Sequence, residues 1–486
     1  MIMNKNEIQQ LVEPHFYNDL KEDNYKIETI KSNVLLTNAR LDIAFKLLYL
    51  EILDKDVSFA KDIYTKHISA FSLGAFNEPG NDDKNSIDKF IEDFKKTFED
   101  IKCNGFDATK TLIPLSQNSS IANGAHRVAS AIYLDKEINC VEIKTSNHIY
   151  DYDFFYNRNI SSDILDTVVT TFIKYASNVH IAFLWPIKKD NNIDIETIIP
   201  NIVYKKKIKL NPNGAHNLLS QIYYGEEWLG NIENNFNGVN GKLVECFKTF
   251  DSFDVIAFQA DSLDEVLKIK ENIREVFNVG KHSVHITDTK EEAIRTARVV
   301  FNDNSLHFLN YAKPNKYIST HKKIDIFKEF MKENNLDSKD LIIDSSFILS
   351  CYGLREAKDT DFFCSDNSKI KVEFKDINIH DEELKYYEEE KNELIYDPKN
   401  YFYFNDIKFI SFNQLYKMKT NRAEEKDKND CDMMEALIED NKVKEFIGKM
   451  KQNILYLKIR IRANLMIVLK SIGLYTIIKG IVRGNK

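Results

Sequence analysis

Apolar residues recur along this chain at two spacings, one typical of helices and one typical of strands. From Ser86 to Ile101 the apolar positions repeat every three or four residues, which predicts an amphipathic helix with one buried face. Short uninterrupted apolar runs at 179–186 and 255–258 predict buried strands instead. Because the chain contains both kinds of segment, we expect an α/β or mixed α+β fold class.

The same patterns predict further elements. Residues 1–60 are expected to form helices, and Pro and Gly in the loop 77–83 are expected to break any helix there. A polar connector at 313–316 favours a domain boundary. Other predicted helices lie at 126–134 and 324–334, and other predicted strands lie at 110–114, 140–143 and 341–343.

Length and composition narrow the class of protein. The 486 residues allow about two to four domains, and an apolar content of 43% excludes an intrinsically disordered chain. Six cysteines are spread along the chain without paired spacing, so we expect a reducing cytoplasm and neither a disulfide framework nor a zinc site. Residues 1–21 hold no apolar run, and no long uncharged apolar stretch occurs, so we expect no secretory signal and no membrane-spanning helix.

Charge is concentrated at the end of the chain. Residues 451–486 carry eight Lys or Arg and no acid, and because the whole chain has a formal charge of −8, the preceding 450 residues carry −16. An acidic body is unsuited to nonspecific nucleic-acid binding, so we expect no nucleic acid as a partner. An apolar stripe runs along the same segment at Ile454, Leu457, Ile461, Leu465, Val468 and Ile472.

This segment, residues 446–486, is called the basic tail, and its stripe predicts an amphipathic helix. Such a helix lies in a membrane interface rather than across it, and each nearby cation adds about 1 kcal/mol of attraction to anionic lipid. We therefore expect a cytoplasmic protein that is attached peripherally to the inner membrane surface. The alternative is a helix packed on the protein's own body with its cations in solvent.

A tight turn followed by His and Arg forms the first candidate site. Asn123-Gly124 favours a turn because Gly takes a positive φ without strain, and His126 and Arg127 then fall in the first turn of a helix. Free N–H groups, the helix dipole and a guanidinium together suit a phosphate. The alternative is an ordinary surface turn in which Arg127 pairs with a carboxylate.

This stretch, Asn123-Gly124-Ala125-His126-Arg127 with small residues behind it and a strand after it, resembles the signature of the ParB/sulfiredoxin fold. The resemblance covers residues 70–150. Members of that superfamily bind nucleotide phosphates at this turn and include ATPases, CTPases and free-serine kinases. The resemblance implies that the Asn123-Gly124 turn, His126 and Arg127 contact phosphate. It also implies a catalytic role for His126 and Arg127. Members that bind DNA carry a basic helix-turn-helix downstream, which we do not find here.

A kinase reaction at this site would also need a carboxylate to orient the attacking hydroxyl. Glu78, in the loop before the motif, is a candidate general base. The alternative for Glu78 is a solvated loop acid. The Asp often found first in the family motif is Asn123 here, so an acid or base at that position is not expected.

Two aspartates form the second candidate site. Asp359 and Asp361 are two residues apart on a predicted strand, which directs both side chains to the same face. Two converging carboxylates repel each other unless a divalent cation lies between them, so the pair favours Mg²⁺ or Mn²⁺ held with nucleotide phosphates. Ser345 and Ser346 precede the pair, and Gly353-Leu354-Arg355 lies between.

This combination resembles the nucleotidyltransferase fold over residues 320–440, and in particular the minimal nucleotidyltransferases and the LicD-like enzymes that move a phosphorus-containing group from a CDP-activated donor onto a sugar. The resemblance implies that Ser345 and Ser346 hold phosphate and that Asp359 and Asp361 act in catalysis and hold the metal. Glu373 would be the third metal ligand, and Arg355 would clamp phosphate.

Two details of the same resemblance concern its edges. Asp344 stands where that fold usually has Gly. Residues 417–430 resemble the closing helix of such domains, with Lys, Arg and two Asp at fixed spacings.

Cations and imidazoles also cluster in the middle of the chain. Lys281, with Arg274, His282 and His285, is a candidate phosphate or polyanion contact. The alternative is a charged helix face with a satisfied histidine.

The predicted organisation follows from these motifs. The segments are a ParB/sulfiredoxin-like domain at 1–200, a middle α/β segment at 201–312, a nucleotidyltransferase-like domain at 313–445 and the basic tail at 446–486. The leading hypothesis is a phosphotransferase or kinase in capsule or lipopolysaccharide biosynthesis, which uses a nucleoside triphosphate or nucleotide-activated donor and a sugar or small alcohol as acceptor. Two alternatives remain open: a nucleotidyltransferase with a regulatory ParB-like module, and a non-enzymatic ParB-like nucleotide-gated binding protein.

Overall fold

A computed structural model of the chain describes residues 1–55, 57–77, 83–117, 119–187 and 197–439, and single helical positions between 443 and 471. Helices and strands both occur along the described residues, so the mixed α/β class predicted from the sequence is confirmed. The strands are β1 (Ile2–Asn4), β2 (Asn24–Lys31), β3 (Ile113–Leu115), β4 (Glu137–Glu142), β5 (Val179–Leu184), β6 (Ile202–Ile208), β7 (Phe253–Gln259), β8 (Val284–Ile286), β9 (Leu341–Asp344), β10 (Thr360–Cys364), β11 (Ile377–Ile379), β12 (Tyr401–Phe404) and β13 (Ile407–Ile410).

The helices vary from one turn to five turns in length. They are α1 (Lys5–Gln9), α2 (Leu41–Ile52), α3 (Ser58–Ser72), α4 (Ile87–Asn104), α5 (Ala125–Tyr133), α6 (Tyr152–Tyr156), α7 (Ser162–Tyr175), α8 (Pro212–Ile222), α9 (Val239–Cys246), α10 (Leu263–Phe277), α11 (Lys290–Val300), α12 (Asp303–Tyr311), α13 (Ile318–Glu333), α14 (Ser346–Cys351), α15 (Lys391–Tyr396), α16 (Phe412–Arg422) and α17 (Glu425–Ile438).

The described strands form three sheets. The first has the order β1-β2-β4-β3, the second β6-β7-β5-β8, and the third β11-β10-β9-β13-β12. All pairs of the second sheet are antiparallel, whereas β3 runs parallel to β4 in the first. In the third sheet β9 pairs antiparallel with β10, and β10 pairs parallel with β11.

The amphipathic helix predicted between Ser86 and Ile101 is confirmed as α4. Its first turn is capped because the Ser86 side chain accepts a hydrogen bond from the Lys89 N–H, and it ends before Gly105 at φ +76°. The residues on its buried face are Phe90, Phe94, Phe98 and Ile101, at helical spacing.

The prediction that residues 1–60 are helical is wrong for β1 and β2. Residues 24–31 form β2, which pairs antiparallel with β1 on one side and β4 on the other. Tyr25 and Ile27 alternate with exposed residues, which is the period of a strand with one buried face. This alternation covers only two buried residues. Hydrogen bonding to a strand on each side is what makes the segment a strand.

Helix α2 lies in the core of its unit and carries a buried charge network. Almost all of its residues are buried, including Asp42 and Lys46. The Arg40 guanidinium binds both Asp42 oxygens at 2.8 and 2.9 Å, and Lys46 Nζ lies 3.2 Å from Asp42 and 3.4 Å from His67 Nε2. These cations outweigh the burial of the Asp42 carboxyl and lower its pKa, so it is a charged, fully paired core residue.

The chain divides into two compact units. Unit 1 comprises residues 1–310, 338–340 and 391–408, and unit 2 comprises residues 311–337, 341–390 and 409–486. Unit 2 therefore begins close to the predicted boundary after residue 312. The expected boundary after residue 200 is not seen, because β5 from the predicted first domain pairs with β7 and β8 from the predicted middle segment.

The basic tail is described only at single positions, all of them helical. The described side chains of its apolar stripe are exposed, from 50% at Ile454 to 59% at Ile461. Among the described residues, no helix is both long enough and apolar enough to cross a bilayer.

Candidate functional site

The Asn123-Gly124 turn forms as the sequence predicts. Gly124 has φ +93° and immediately precedes α5. A Cβ at this position would lie 2.7 Å from Ile113 Cδ1 and 2.9 Å from Arg127 Nη2. Glycine is therefore required here by both the backbone conformation and the space.

The side chains of this turn are bound to other parts of unit 1. Arg127 Nη2 lies 2.7 Å from Glu13 Oε1, and Nη1 donates to the Thr111 hydroxyl. Asn123 Oδ1 accepts the Gly124 N–H at 2.6 Å. This arrangement is the alternative described above, in which Arg127 pairs with a carboxylate, and in this structure the guanidinium is not offered to a phosphate.

His126 is likewise held by protein groups. Its Nε2 lies 2.8 Å from the Tyr64 hydroxyl, and its ring packs on Phe94 with centroids 4.6 Å apart. Burial, and after it the charge of Lys46, lowers the pKa of His126 well below its ordinary value, so the ring is neutral. Glu78, the candidate general base, lies outside the described residues.

A second group of polar side chains lies on the sheet of unit 2. Asp344 at the end of β9 is directly opposite Asp361 on β10, and Asp361 is opposite Asn378 on β11. These three side chains form a row across three strands. Like charges directly opposite each other destabilise a sheet, so a pair of acids there needs a compensating partner.

Asp344 has two such partners. His380 Nδ1 lies 2.8 Å from Asp344 Oδ2, and the Tyr387 hydroxyl donates to Oδ1. Burial disfavours the charged imidazole, but the Asp344 hydrogen bond and charge outweigh it and raise the pKa of His380. Among the described residues nothing bonds to His380 Nε2, and this atom is not sealed from solvent. The Asp344–His380 pair therefore has the geometry of a proton acceptor fixed by a carboxylate.

Asp359 and Asp361, the predicted metal pair, lie close together. Burial raises the pKa of Asp361, the charge of His380 opposes this rise, and the nearby charge of Asp359 adds to it. The side chain of Asp359 makes no hydrogen bond or ion pair with any described residue, and that of Asp361 makes only a 3.4 Å contact with Asn378 Nδ2. Two neighbouring carboxylates that form no ion pair with a described residue fit a divalent cation, since Mg²⁺ is commonly held by one or two carboxylates plus phosphate oxygens.

Glu373 is not part of this group. It is exposed in the irregular segment before β11. Within the described ranges, no three His, Cys, Asp or Glu side chains are arranged to hold a metal ion. The structure thus brings together two of the three predicted ligands.

Ser345 and Ser346 form the turn from β9 into α14. Ser345 has φ +64° and ψ −143°, a backbone conformation that residues other than glycine rarely adopt. The glycine-like position of this turn is therefore Ser345, whereas the resemblance to the nucleotidyltransferase fold placed it at Asp344. Neither hydroxyl is hydrogen-bonded to any described residue, so both are available to a ligand.

Arg355 is bound within a buried ion-pair network. Its Nε and Nη2 lie 2.6 and 2.7 Å from the two oxygens of Asp430. Lys419 lies 2.9 Å from Asp430 and 3.1 Å from Asp427, and Asp427 also pairs with Arg422 at 2.7 Å. Arg355 is therefore part of a structural ion-pair network, and in this structure it is not a phosphate clamp.

Lys281, predicted as a phosphate contact, is an exposed residue of the 3-10 turn Gly280–His282 in unit 1. His285 does not pair with His282 and instead contacts Glu292 at 3.0 Å. This is the alternative in which a histidine is satisfied by its neighbours.

Three residues of the unit 2 group were not anticipated: Asn378, His380 and Tyr387. Asn378 and His380 alternate with Ile377 and Ile379, so the period of two was a usable signal for a polar strand face. Tyr387 has no such signal, because it reaches Asp344 from 43 residues away.

Comparisons with protein-family models, with curated proteins and with solved structures found no match to this chain. The resemblances to the ParB/sulfiredoxin and nucleotidyltransferase folds therefore stay predictions based on motifs.

Proposed function

We propose that unit 2 transfers a phosphorus-containing group from a nucleotide donor to a hydroxyl of an acceptor such as a sugar. The observation that supports this is the combination of two unpaired carboxylates, Asp359 and Asp361, with His380, whose Nδ1 is bound to Asp344 while Nε2 is open. Phosphoryl and nucleotidyl transfer need charge neutralisation at phosphate and orientation of the attacking hydroxyl.

Each residue has a role in this proposal. Asp359 and Asp361 would hold Mg²⁺ or Mn²⁺, which when bound neutralises charge on the phosphates. The hydroxyls of Ser345 and Ser346 donate to phosphate oxygens. Fixed donors of this kind stabilise charge without having to reorganise during the reaction.

His380 acts as the general base. The acceptor hydroxyl passes its proton to Nε2 as its oxygen forms the new bond to phosphorus, and the bond from phosphorus to the leaving phosphate oxygen breaks. Asp344 stabilises the imidazolium that results and keeps Nδ1 protonated, as a carboxylate does behind a catalytic histidine.

This proposal favours the nucleotidyltransferase alternative over a kinase centred on the Asn123–Arg127 turn. At that turn the guanidinium of Arg127 is paired with Glu13, and the imidazole of His126 is bonded to Tyr64. A phosphate would have to displace an ion pair there. In unit 2 the carboxylates and hydroxyls are not bound in this way.

The test is a comparison of two variants of the full chain. The double variant Asp359→Asn/Asp361→Asn is compared with Asp325→Asn, which removes an exposed acid from α13 of the same unit. ATP, CTP and CDP-linked donors are supplied with Mg²⁺ and candidate sugar acceptors, and products are followed by phosphorus NMR. We expect the double variant to lose at least about 100-fold in turnover, which is the order of a lost electrostatic contact at a transferring group, while Asp325→Asn is unchanged.

Two results would contradict the proposal. One is a double variant that turns over as fast as the unmodified chain. The other is a chain that takes up no nucleotide with Mg²⁺ in calorimetry.

We also propose that the basic tail attaches the protein to an anionic membrane surface, which fits an enzyme of surface-polysaccharide synthesis. The described side chains of its apolar stripe are 50–59% exposed, which is not expected of a helix that buries this stripe on the protein's own body. Exposed apolar residues on one face and cations without acids suit a helix lying in the interface.

A further inference from the structure

A cavity of about 500 Å³ lies within unit 1, apart from every predicted site residue. Its walls come from α2, α5, α7, α11 and the β12–β13 hairpin. This volume is in the range of sites that bind small molecules.

The walls are more basic than the rest of the chain. They carry the cations Lys174, Arg298, Lys339 and Lys408 and the acids Glu51 and Asp340, which leaves an excess of two positive charges in a chain of net charge −8. An excess of cations in a concave site attracts an anion, because the low-dielectric walls strengthen the field near them.

Arg298 is the residue with capacity for a ligand. Its guanidinium lies over the Tyr403 ring, 5.2 Å from the centroid, and makes no hydrogen bond or ion pair with the described residues. Arg127, Arg355 and Arg422 each pair with a carboxylate in this chain. A guanidinium has five N–H donors, and those of Arg298 are open for a bidentate contact with phosphate.

Tyrosine rings form much of the remaining wall. Tyr133 and Tyr175 come from the helices, and Tyr401 and Tyr403 come from β12. Tyrosine offers a flat apolar face together with a polar hydroxyl, which suits the stacking of a sugar or a base.

The polar groups at one end of the cavity are held in fixed positions. Glu51 accepts hydrogen bonds from the Tyr175 hydroxyl, at 2.8 Å, and from Lys174. A fixed carboxylate of this kind can accept hydrogen bonds from ligand hydroxyls without reorganising. The cavity thus presents a phosphate contact, stacking faces and a hydroxyl acceptor.

We infer that this cavity binds a phosphate monoester of a ring compound, either a sugar phosphate or a nucleoside monophosphate, with its phosphate on Arg298 and its ring against the tyrosines. The dianionic phosphate matches the excess of two positive charges. The inference does not depend on the proposed reaction of unit 2, since every residue in it belongs to unit 1.

Calorimetry on the full chain tests this with three probes: inorganic phosphate, AMP and glucose 1-phosphate. We expect at least one of the two ring compounds to bind more tightly than inorganic phosphate, and which one binds identifies the source. Arg298→Gln should weaken that binding at least about tenfold, as expected for a lost charge-assisted bidentate contact. Arg295→Gln is the matched control, because it removes an exposed arginine one turn earlier on α11.

A second variant separates the ring from the phosphate. Tyr403→Leu should weaken binding of the ring compound and leave binding of inorganic phosphate nearly unchanged. If Arg298→Gln fails to fold by circular dichroism, Arg298→Lys replaces it and should weaken binding several-fold, because lysine keeps the charge but loses the bidentate geometry.

The inference is overturned if neither ring compound binds, or if inorganic phosphate binds as tightly as both. It is also overturned if a folded Arg298 variant binds like the unmodified chain, or if Arg295→Gln weakens binding equally. Loss of transfer activity in unit 2 variants has no bearing on these outcomes, so the two proposals can fail independently.

Discussion

The arginines of this chain differ in role because their partners differ. Arg127 and Arg355 have guanidinium groups near helix ends or acidic motifs, and both were expected to bind phosphate. In the folded chain they pair with Glu13 and Asp430. A guanidinium can be paired equally well by a nearby carboxylate or by a phosphate. The residue type alone therefore does not distinguish a structural arginine from a phosphate-binding one.

His380 leads to a prediction about pH. Asp344 raises the pKa of His380, so the pair stabilises the fold fully below the ordinary histidine pKa of about 6.5, and this stabilisation is lost as the pH rises through the raised value. Asp344→Asn removes the charge, and we expect the pKa of His380 to fall. NMR titration of labelled histidine in the full chain, assigned with His380→Gln, measures this directly.

The same substitution should move the pH dependence of transfer. Turnover rises as His380 loses its proton, so its acid limb should shift to lower pH in Asp344→Asn, with a reduced maximum. A His380 titration curve that is unchanged by Asp344→Asn would show that the two groups do not interact as described.

At the level of elements, the local apolar pattern was sufficient to predict helices and strands whose own residues form the buried face. Helix α4 and strands β5 and β7 lie where the apolar period put them. Strand β2 was missed because its signal is only two buried residues, Tyr25 and Ile27, and its hydrogen bonds go to strands elsewhere in the chain. Strand propensity reflects neighbours more than the backbone of the segment itself.

Helices α16 and α17 give a prediction about stability. Lys419 is buried between Asp427 and Asp430, whereas Lys417, two residues earlier, pairs with Glu388 at the surface. Lys419→Met leaves buried carboxylates with fewer partners and should cost about 3–5 kcal/mol in the free energy of unfolding. Lys417→Met is the control and should cost at most about 1 kcal/mol. Denaturant unfolding compares them.

The same network also predicts acid sensitivity. Burial opposes the charged forms of Asp427 and Asp430, but their cationic partners outweigh it and lower the pKa of both. The network therefore stabilises the fold fully above the ordinary aspartate pKa of about 4, and this contribution is lost as the pH falls through the lowered values. Equal costs for Lys417→Met and Lys419→Met would contradict the buried arrangement.

At the scale of the whole molecule, the two units are not two continuous stretches of sequence. Residues 338–340 and 391–408 belong to unit 1, although unit 2 supplies the residues on either side of them. A chain that leaves a unit and returns to it does so by contacts distant in sequence. Composition and linkers mark boundaries only where the chain crosses once.

The basic tail gives a prediction that also concerns the whole chain. Leu465→Asp places a charge on the apolar stripe, and Asn464→Asp places the same charge on the neighbouring position. We expect Leu465→Asp to weaken binding to phosphatidylglycerol-containing vesicles about tenfold or more, since burying a leucine is worth about 1.5–3 kcal/mol. Asn464→Asp should weaken vesicle binding less, because it adds one negative charge without removing an apolar residue of the stripe.

Vesicle co-sedimentation measures both variants, with neutral vesicles as a further control. Equal weakening by the two substitutions would mean that charge alone drives binding. No binding by the unmodified chain would contradict the interfacial role of the tail.

The sequence by itself determined features whose physical cause is local. The Asn123-Gly124 turn depends on one glycine, and α4 depends on the spacing of its apolar residues. Asp359 and Asp361 are close because they are two residues apart, although Asp359 lies in the bend just before β10 and not on the strand as predicted. In each case the interacting residues are neighbours in the chain, so the pattern contains the information.

Only the tertiary structure decided which charges are free. Arg127 meets Glu13 across 114 residues, Arg355 meets Asp430 across 75, and His380 meets Asp344 across 36. The cavity of unit 1 likewise takes its arginine and tyrosines from separate helices and a hairpin. Ion pairs and cavity walls depend on distances in space between groups far apart in the chain, and local periodicity carries no information about those distances.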